Sequence, residues 1–379
     1  NGEKRPMDSK GLISSSQYRL LVTAFIVGSA LLLSFMDNMA RQDSWLVVVA
    51  SFVCALPFLL TYAMMAKKLP GKNLMEIYEA VFGPVIGKFV SLLYLGYFFI
   101  LLSFNILDLS DFYVGSVMQE TPKAPLIVIA LAVAGYGVCK GVKTIAKAGF
   151  LSAFLSAVVI LATSALLVKD MDFTNFLPIL EAPKKTLAQG IHIFTALPFC
   201  EVFVLTMVMP SVDQSDKLGR NTVAGAFVGM LLLLIVAVRN TAVLGPMTAL
   251  YTSNSYMAVR VIDIGEFLTR VELFVAISII GAVFTKVMVL FYAMMAGMKS
   301  VFGLESAKAM IVPVIGLVTV MALIAFSSPV SHAYSGMRYH AFFPLLFEFI
   351  LPPLTLLAAA ARGIGGERAG EGAAPGDGP

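Results

Sequence analysis

An apolar segment over residues 188–209 carries a proline and a carboxylate, Pro198 and Glu201, near its middle. Proline has no backbone N–H to donate and its ring crowds the preceding turn, so a helix must break or kink close to Pro198. Hydrocarbon cannot hydrogen-bond the backbone groups that the break leaves free. Such a segment can cross a membrane only where protein packs around it or where it lines a wet cavity. We therefore expect the functional site of this chain at the interruption.

The composition indicates an integral membrane protein. Of its 379 residues, 59% are hydrophobic and 13% are charged, which is too much apolar surface for a water-soluble domain. Apolar windows of about the length of one membrane crossing lie at residues 16–36, 44–66, 84–114, 125–139, 144–168, 188–209, 221–244, 269–297, 309–326 and 341–361. These windows predict an all-α integral membrane protein with about ten transmembrane helices, numbered in chain order as spans.

Lysine and arginine residues are unevenly distributed between the predicted connections. If the amino terminus is cytoplasmic and the number of spans is even, the cytoplasmic connections hold more of these residues than the outer ones, as the positive-inside rule requires. Both termini are then cytoplasmic. The predicted parts are a cytoplasmic amino-terminal segment (1–15), a first five-helix repeat (16–168), an outer loop (169–187), a second five-helix repeat (188–361) and a disordered cytoplasmic tail (362–379).

Span 1 resembles span 6 because it also carries helix-breaking residues at its centre. Gly28 and Ser29 occupy the middle of span 1, as Thr195 to Pro198 occupy the middle of span 6. Two interrupted helices that open halves of similar length fit an inverted repeat of five plus five spans, with a site at the mid-membrane breaks. Taken alone, Gly28 and Ser29 fit a small-residue packing contact between helices equally well.

Short motifs along the chain occur in the order of a known family. They are Ile13-Ser-Ser-Ser-Gln17, Gly28, Ala40-Arg-Gln-Asp-Ser-Trp45, Pro198-Phe-Cys-Glu-Val-Phe203, Arg260-Val-Ile-Asp-Ile-Gly265 and Phe267-Leu-Thr-Arg-Val-Glu-Leu273. Over residues 13–360, this ordered set resembles the B subunit of spore germinant receptors, the endospore germination permease family. The chain departs from that family at Arg41, where the family commonly has glycine.

The resemblance implies membership of the amino acid/polyamine/organocation superfamily and a leucine-transporter-like fold with broken helices in spans 1 and 6. It also implies that the chain senses small nutrients, chiefly amino acids. Its partners would be the A and C subunits of a germinant receptor, and its location would be the spore inner membrane.

An amino acid bound between the two breaks would meet complementary backbone groups. Its carboxylate would accept hydrogen bonds from amides near Gly28 and Ser29, where the positive end of a half-helix points, and its ammonium would meet carbonyls near Thr195. In span 3, Tyr97, Leu101 and Asn105 recur at helical spacing and would form one wall, although tyrosine rings also pack in ordinary cores. The ligand-binding residues that we predict are Gly28, Ser29, Tyr97, Leu101, Asn105, Thr195, Ala196, Leu197, Pro198 and Thr285.

Two charged residues, Glu201 in span 6 and Lys286 in span 8, fall inside predicted membrane crossings. A charge at the bilayer centre costs about 2.5–3.5 kcal/mol, so each should face protein or water, and the two can partner one another. Glu201 is then either a proton or cation site beside the ligand or half of a structural ion pair between the two spans. We expect Arg239 of span 7 to extend to the membrane interface, and Glu348 of span 10 is a second candidate for an internal pair.

The sequence carries no motif of an enzyme, a metal centre or a cofactor site. Gly-x-Ser-x-Gly, His-Glu-x-x-His and phosphate-loop patterns are absent, and the three cysteines are scattered. The basic clusters indicate membrane orientation and not nucleic-acid binding. The partners that we expect are the lipid bilayer, a small-molecule nutrient and the A and C receptor subunits. Three functions stay open: a ligand-sensing subunit, a proton-coupled amino-acid permease and a structural subunit with a vestigial pocket.

Overall fold

The computed structural model describes residues 12–261, 270–335 and 342–364. Within these ranges the chain is helical, and its β-structure is one isolated bridge between Ile13 and Val212. The α-helices are α1 (Ser15–Val27), α2 (Leu32–Ala40), α3 (Ser44–Lys68), α4 (Leu74–Phe82), α5 (Pro84–Ser116), α6 (Lys123–Lys140), α7 (Val142–Leu166), α8 (Lys184–Phe194), α9 (Leu218–Leu244), α10 (Asn254–Val259), α11 (Glu272–Phe302), α12 (Ile311–Ile324), α13 (Pro329–Ser335) and α14 (Leu351–Ala361). Residues 1–11 of the amino-terminal segment, residues 262–269 of the downstream motifs and most of the predicted tail lie outside the described residues.

Among the residues that the structure describes, 7 helices are long and apolar enough to cross a membrane. They are Leu32–Lys68, Pro84–Ser116, Lys123–Lys140, Val142–Asp170, Lys184–Met207, Ser215–Leu250 and Glu272–Phe302. Two shorter apolar helices cover Lys308–Ile324 and Leu345–Ala361, and α1 precedes the first long helix. Each predicted span thus coincides with a long helix, a shorter apolar helix or a broken one. The prediction of an all-α membrane protein is confirmed.

Span 1 is interrupted at its centre, as predicted. α1 ends at Val27 and α2 begins at Leu32, and the turn between them uses short-range hydrogen bonds such as Ser29 N to Ile26 O at 2.9 Å. A side chain at Gly28 has no room, because a Cβ atom there would lie 2.8 Å from the backbone oxygen of Ala282 in α11. The glycine therefore permits a close approach of α1 and α11 at the break.

Span 6 is interrupted as well. After α8, a π-helical turn covers Thr195–Phe199 and a 3₁₀-helix covers Cys200–Met207. Pro198 lies inside the π-helical turn, where its missing N–H and its ring prevent regular α-helical hydrogen bonding. Broken helices in both span 1 and span 6 are thus confirmed.

The two interrupted helices lie in the interior of the helix bundle. α1 packs against α7, α9 and α11, and the irregular part of span 6 packs against α3 and α11. Large apolar side chains on peripheral helices are exposed instead, for example Phe89, Ile129, Phe154 and Leu317. An exposed apolar surface of this kind is what a membrane-embedded bundle presents to lipid.

Candidate ligand site at the helix breaks

A partly enclosed cavity lies where the two helix breaks meet α5 and α11. It offers about 80 Å³ to the centres of water-sized molecules, which is room for several waters or a compact solute. The lining residues are Gly28, Ser29, Leu31, Leu32, Phe35, Met36, Leu101, Phe104, Asn105, Asp108, Ile193, Leu197, Glu201, Val283, Lys286 and His332. The cavity thus joins spans 1, 3, 6 and 8 with the short helix α13.

The lining includes predicted site residues from all four of these spans: Gly28, Ser29, Leu101, Asn105, Leu197, Glu201 and Lys286. Leu101 and Asn105 share one face of α5 because they are one helical turn apart. Leu197 reaches the cavity from the π-helical turn of span 6. Residues far apart in the chain therefore meet because both breaks lie at the same depth in the bundle.

Other predicted residues lie outside the cavity lining. Thr195 Oγ1 donates to Ile191 O at 2.6 Å, and Thr285 Oγ1 donates to Gly281 O at 2.9 Å, so both hydroxyls are engaged within their own spans. Ala196 and Pro198 are buried in the turn whose other face carries Leu197. Tyr97, one turn before Leu101, is directed to span 10.

A buried ion pair connects the two breaks. Lys286 Nζ lies 2.6 Å from Glu201 Oε2 and donates to Ser29 Oγ at 2.8 Å. The side chains of Lys286 and Glu201 are 3% and 1% exposed. Asn105 Nδ2 approaches Glu201 Oε1 at 3.4 Å, so span 3 also contacts the pair. One lysine of span 8 therefore links span 1 to span 6 at the centre of the protein.

The backbone amides at the first break are not free, which corrects the expected mode of carboxylate binding. Gly28 N donates to Ala24 O at 2.8 Å, and Ser29 N donates to Ile26 O at 2.9 Å. The positive group that the break offers is the ammonium of Lys286. It has three N–H donors, of which Ser29 and Glu201 accept two.

Aromatic side chains close the cavity on the side of α4. Tyr97 OH donates to Glu348 Oε1 at 2.7 Å, and the Tyr97 ring stacks on Phe347 with ring centroids 4.4 Å apart. Phe203 of span 6 stacks on Tyr97 at 5.7 Å, and Tyr94 OH donates to Phe347 O at 2.6 Å. Glu348 is fully buried and lies in a π-helical segment, Leu345–Ile350, before α14. These contacts separate the cavity from the α4 side of the bundle.

On the opposite side, α13 covers the cavity with a histidine. His332 Nδ1 lies 3.5 Å from Asp108 Oδ1 and 3.9 Å from Asp111 Oδ2, and Asp111 also pairs with Lys123. The His332 ring stacks on Phe326 at 4.4 Å. Burial lowers the pKa of His332, but the carboxylates of Asp108 and Asp111 outweigh this effect and raise it above its ordinary value. The histidine is therefore a charge-dependent contact in the lining of the cavity.

Sequence reasoning missed both Asp108 and His332. Asp108 continues the helical stripe of Leu101 and Asn105, so the spacing contained a signal that we did not use. His332 lies in the connection between spans 9 and 10, and no local pattern marks it as facing span 3. Among the described residues, no group of three or more His, Cys, Asp or Glu side chains is placed to hold a metal ion.

Arg239 does not extend to the membrane interface, and that prediction is wrong. The side chain is 2% exposed, and Nη1 donates to Thr163 Oγ1 of α7 at 2.9 Å. Its Nε and Nη2 both donate to Asn240 Oδ1. Neutral partners inside the bundle, and not water at the interface, hold this guanidinium.

Two interrupted helices around a charged cavity define a transporter-like class of membrane protein. The transporter Mhp1 of the nucleobase-cation-symport-1 family, in a closed conformation with bromovinylhydantoin bound, matches with a TM-score of 0.68 at 15% identity, covering 91% of this chain and 79% of that one. A substrate-bound, outward-open Na⁺-coupled sialic acid symporter matches with a TM-score of 0.62 at 14% identity, covering 89% and 78%. The fold of the chain is therefore leucine-transporter-like.

The chain belongs to the spore germination protein family, whose model matches residues 12–330. Spore germination protein KB of Bacillus subtilis (strain 168) is 24% identical over 354 residues, covering 90% of this chain and 94% of the relative. The putative spore germination protein YfkT of the same organism is 22% identical over 339 residues, covering 88% and 92%. The resemblance drawn from the motifs is confirmed, and the chain is an integral membrane protein of the germinant-receptor and permease type, not an enzyme.

Proposed function

We propose that the chain is the nutrient-sensing membrane subunit of a spore germinant receptor, and that it binds an amino acid in the cavity between spans 1, 3, 6 and 8. The observation that carries the proposal is the cavity at the two helix breaks, with the Lys286–Glu201 pair and the carboxylate of Asp108 in its lining. Membership of the spore germination protein family supports a role in germination.

The charges in the cavity suit a small zwitterion. Lys286 has one N–H donor beyond those that Ser29 and Glu201 accept, and this donor would bind the carboxylate of the ligand. Asp108 would accept from the ligand ammonium, which then competes with His332 for the same carboxylate. The cavity has room for a compact solute, so we propose an amino acid with a short side chain as the ligand.

Ligand binding would act on the arrangement of the spans. The ligand contacts residues on both sides of the two breaks, so it favours the conformation in which spans 1, 3, 6 and 8 lie close together. In our proposal, this shift passes to the A and C receptor subunits, which start germination. We place both termini in the cytoplasm and the protein in the spore inner membrane, and lysine and arginine distribution supports this orientation.

A proton-coupled amino-acid permease is the alternative function. It is favoured by a further buried carboxylate, Glu348, which accepts from Tyr97 OH one helical turn before the lining residue Leu101. If the aromatic contacts of Tyr97, Phe203 and Phe347 separate, a proton and a ligand could pass to the α4 side together. The sensor and the permease need the same cavity and differ in whether this side opens.

Binding and uptake, measured on the same preparation, test the proposal. The purified chain is reconstituted alone into liposomes and assayed with a panel of labelled small neutral L-amino acids. Saturable binding without uptake supports the sensor, whereas saturable uptake driven by a pH gradient supports the permease and overturns the sensor. If no amino acid of the panel binds, both functions are contradicted for this ligand class.

Asp108→Asn supplies the site-directed version of this test. It removes the charge that would meet the ligand ammonium but keeps the size of the side chain, and we expect amino-acid binding to weaken by at least about tenfold. Asp216→Asn is the matched control, because Asp216 is exposed and lies far from the cavity lining. Equal affinities in the two variants would remove Asp108 from the ligand site.

A further inference from the structure

A second, smaller cavity lies behind the break in span 1. It is lined by Arg239, Ser255 and Ser278, with Val27 and Ala30 among its apolar residues. It offers about 20 Å³ to the centres of water-sized molecules, which is room for one monatomic ion or one water. Its lining shares no residue with that of the ligand cavity.

The positive charge beside this cavity belongs to Arg239. No carboxylate of the described residues lies within ion-pair distance of Arg239. Nη1 donates to Thr163 Oγ1 at 2.9 Å, and Nε and Nη2 donate to Asn240 Oδ1 at 3.3 and 3.0 Å, so both acceptors are neutral. A guanidinium has five N–H donors, and two of them have no hydrogen-bond acceptor among the described residues. A buried cation without compensation is strongly unfavourable.

Ser255 offers a further donor at the same cavity. Asn240 Nδ2 donates to Ser255 Oγ at 3.2 Å, which leaves the hydroxyl hydrogen of Ser255 for another acceptor. Leftover guanidinium donors, a hydroxyl and apolar walls suit a small, singly charged anion. The small size of the cavity favours a monatomic anion, and water would bring no negative charge.

We infer that this cavity binds a monovalent anion of the size of chloride, held by Arg239 and Ser255. Val27 and Ala30 flank Gly28 and Ser29, which line the ligand cavity on the other side of the break. The bound anion would therefore stabilise the turn that separates α1 from α2. The inference about the anion site does not depend on which small molecule binds in the ligand cavity.

Asp37 in α2 is the competing source of negative charge. Its carboxylate accepts from Asn254 Nδ2 at 2.8 Å, and Asn240 lies between it and Arg239 in the same polar network. If Asp37 compensates Arg239 through Asn240, the protein needs no external anion.

Halide dependence of the full-length chain distinguishes the two cases. Thermal unfolding of the purified protein is followed while sodium chloride replaces sodium gluconate at constant ionic strength. We expect a saturable rise of the unfolding temperature by a few degrees, because an anion that binds the folded state stabilises it. A crystal grown with bromide should show an anomalous peak between Arg239 and Ser255.

Substitutions of the lining residues test whether the chloride dependence arises at this cavity. Ser255→Ala removes one hydroxyl with little risk to folding and should weaken the chloride dependence, and Arg239→Met should abolish it. Arg220→Met is the matched control, because Arg220 is exposed on the same helix, α9. An unfolding temperature of the parent protein that is independent of chloride, or a bromide peak only at other positions, overturns the inference and leaves Asp37 as the compensating charge.

Discussion

Replacing Lys286 by methionine would remove one charge of the buried ion pair while keeping a long side chain in α11. Glu201 would then stay buried, and among the described residues Asn105 Nδ2, at 3.4 Å, would be its remaining hydrogen-bond partner. Removing one partner of a buried ion pair costs about 3–5 kcal/mol, because the other charge stays in a poorly polar interior without compensation. We expect Lys286→Met to lower the free energy of unfolding by about this amount, which is a large part of a typical protein's stability.

A double variant separates the structural role of the pair from a role in ligand binding. Lys286→Met combined with Glu201→Gln removes both charges, and neutral replacement of a buried pair is often close to energetically neutral. We therefore expect the double variant to recover most of the lost free energy of unfolding. If Lys286 also binds the ligand carboxylate, the double variant folds but does not bind amino acids. A purely structural pair would instead leave binding intact in the double variant.

The assay is denaturant unfolding of the purified variants in one detergent, with amino-acid binding measured on the same samples. Lys299→Met is the matched control, because Lys299 is exposed near the end of the same helix and should change stability by about 0.5 kcal/mol or less. Two results would refute the reasoning: a Lys286→Met protein as stable as Lys299→Met, or a double variant no more stable than the single one.

Three further predictions concern other parts of the site. Gly28→Ala should destabilise the protein by about 1–3 kcal/mol, since its Cβ would press on Ala282 O, whereas Gly316→Ala, with no atom within 4 Å, should not; denaturant unfolding checks both. The pKa of His332 is raised in the folded protein, so its contact with α5 stabilises the protein fully below about pH 6.5 and is lost as the pH rises through the raised pKa. His332→Gln should therefore flatten the pH dependence of the free energy of unfolding. Glu348→Gln should change the pH profile of uptake if the permease reading holds, and an unchanged profile would leave Glu348 a structural role.

The helix breaks could be predicted because their causes are local. Pro198 cannot continue a regular helix in any surroundings, and glycine at the centre of span 1 is a poor helix former. The composition likewise decided the class of protein before any contact was known. The effect of a residue on its own backbone depends on its type, so it can be predicted from the sequence.

The contacts between spans could not be predicted in the same way. The amides of Gly28 and Ser29 were expected to bind a ligand, but the last turn of α1 satisfies the first and a tighter turn satisfies the second, and sequence cannot reveal these bonds. Arg239 was expected at the interface, but α7 and α10 pack against α9 and enclose it. His332 reaches Asp108 only because the connection between spans 9 and 10 folds back over span 3. Each of these outcomes depends on which helices become neighbours.

A structure of the full-length chain with a bound amino acid tests the central claim most directly. The ligand is the member of the small neutral L-amino-acid panel that raises the unfolding temperature most. Our account predicts density in the cavity between the two helix breaks, with the ligand carboxylate at Lys286 Nζ and its ammonium at Asp108. Density at any other position, or none in this cavity at a ligand concentration that saturates the stabilising effect, would contradict it.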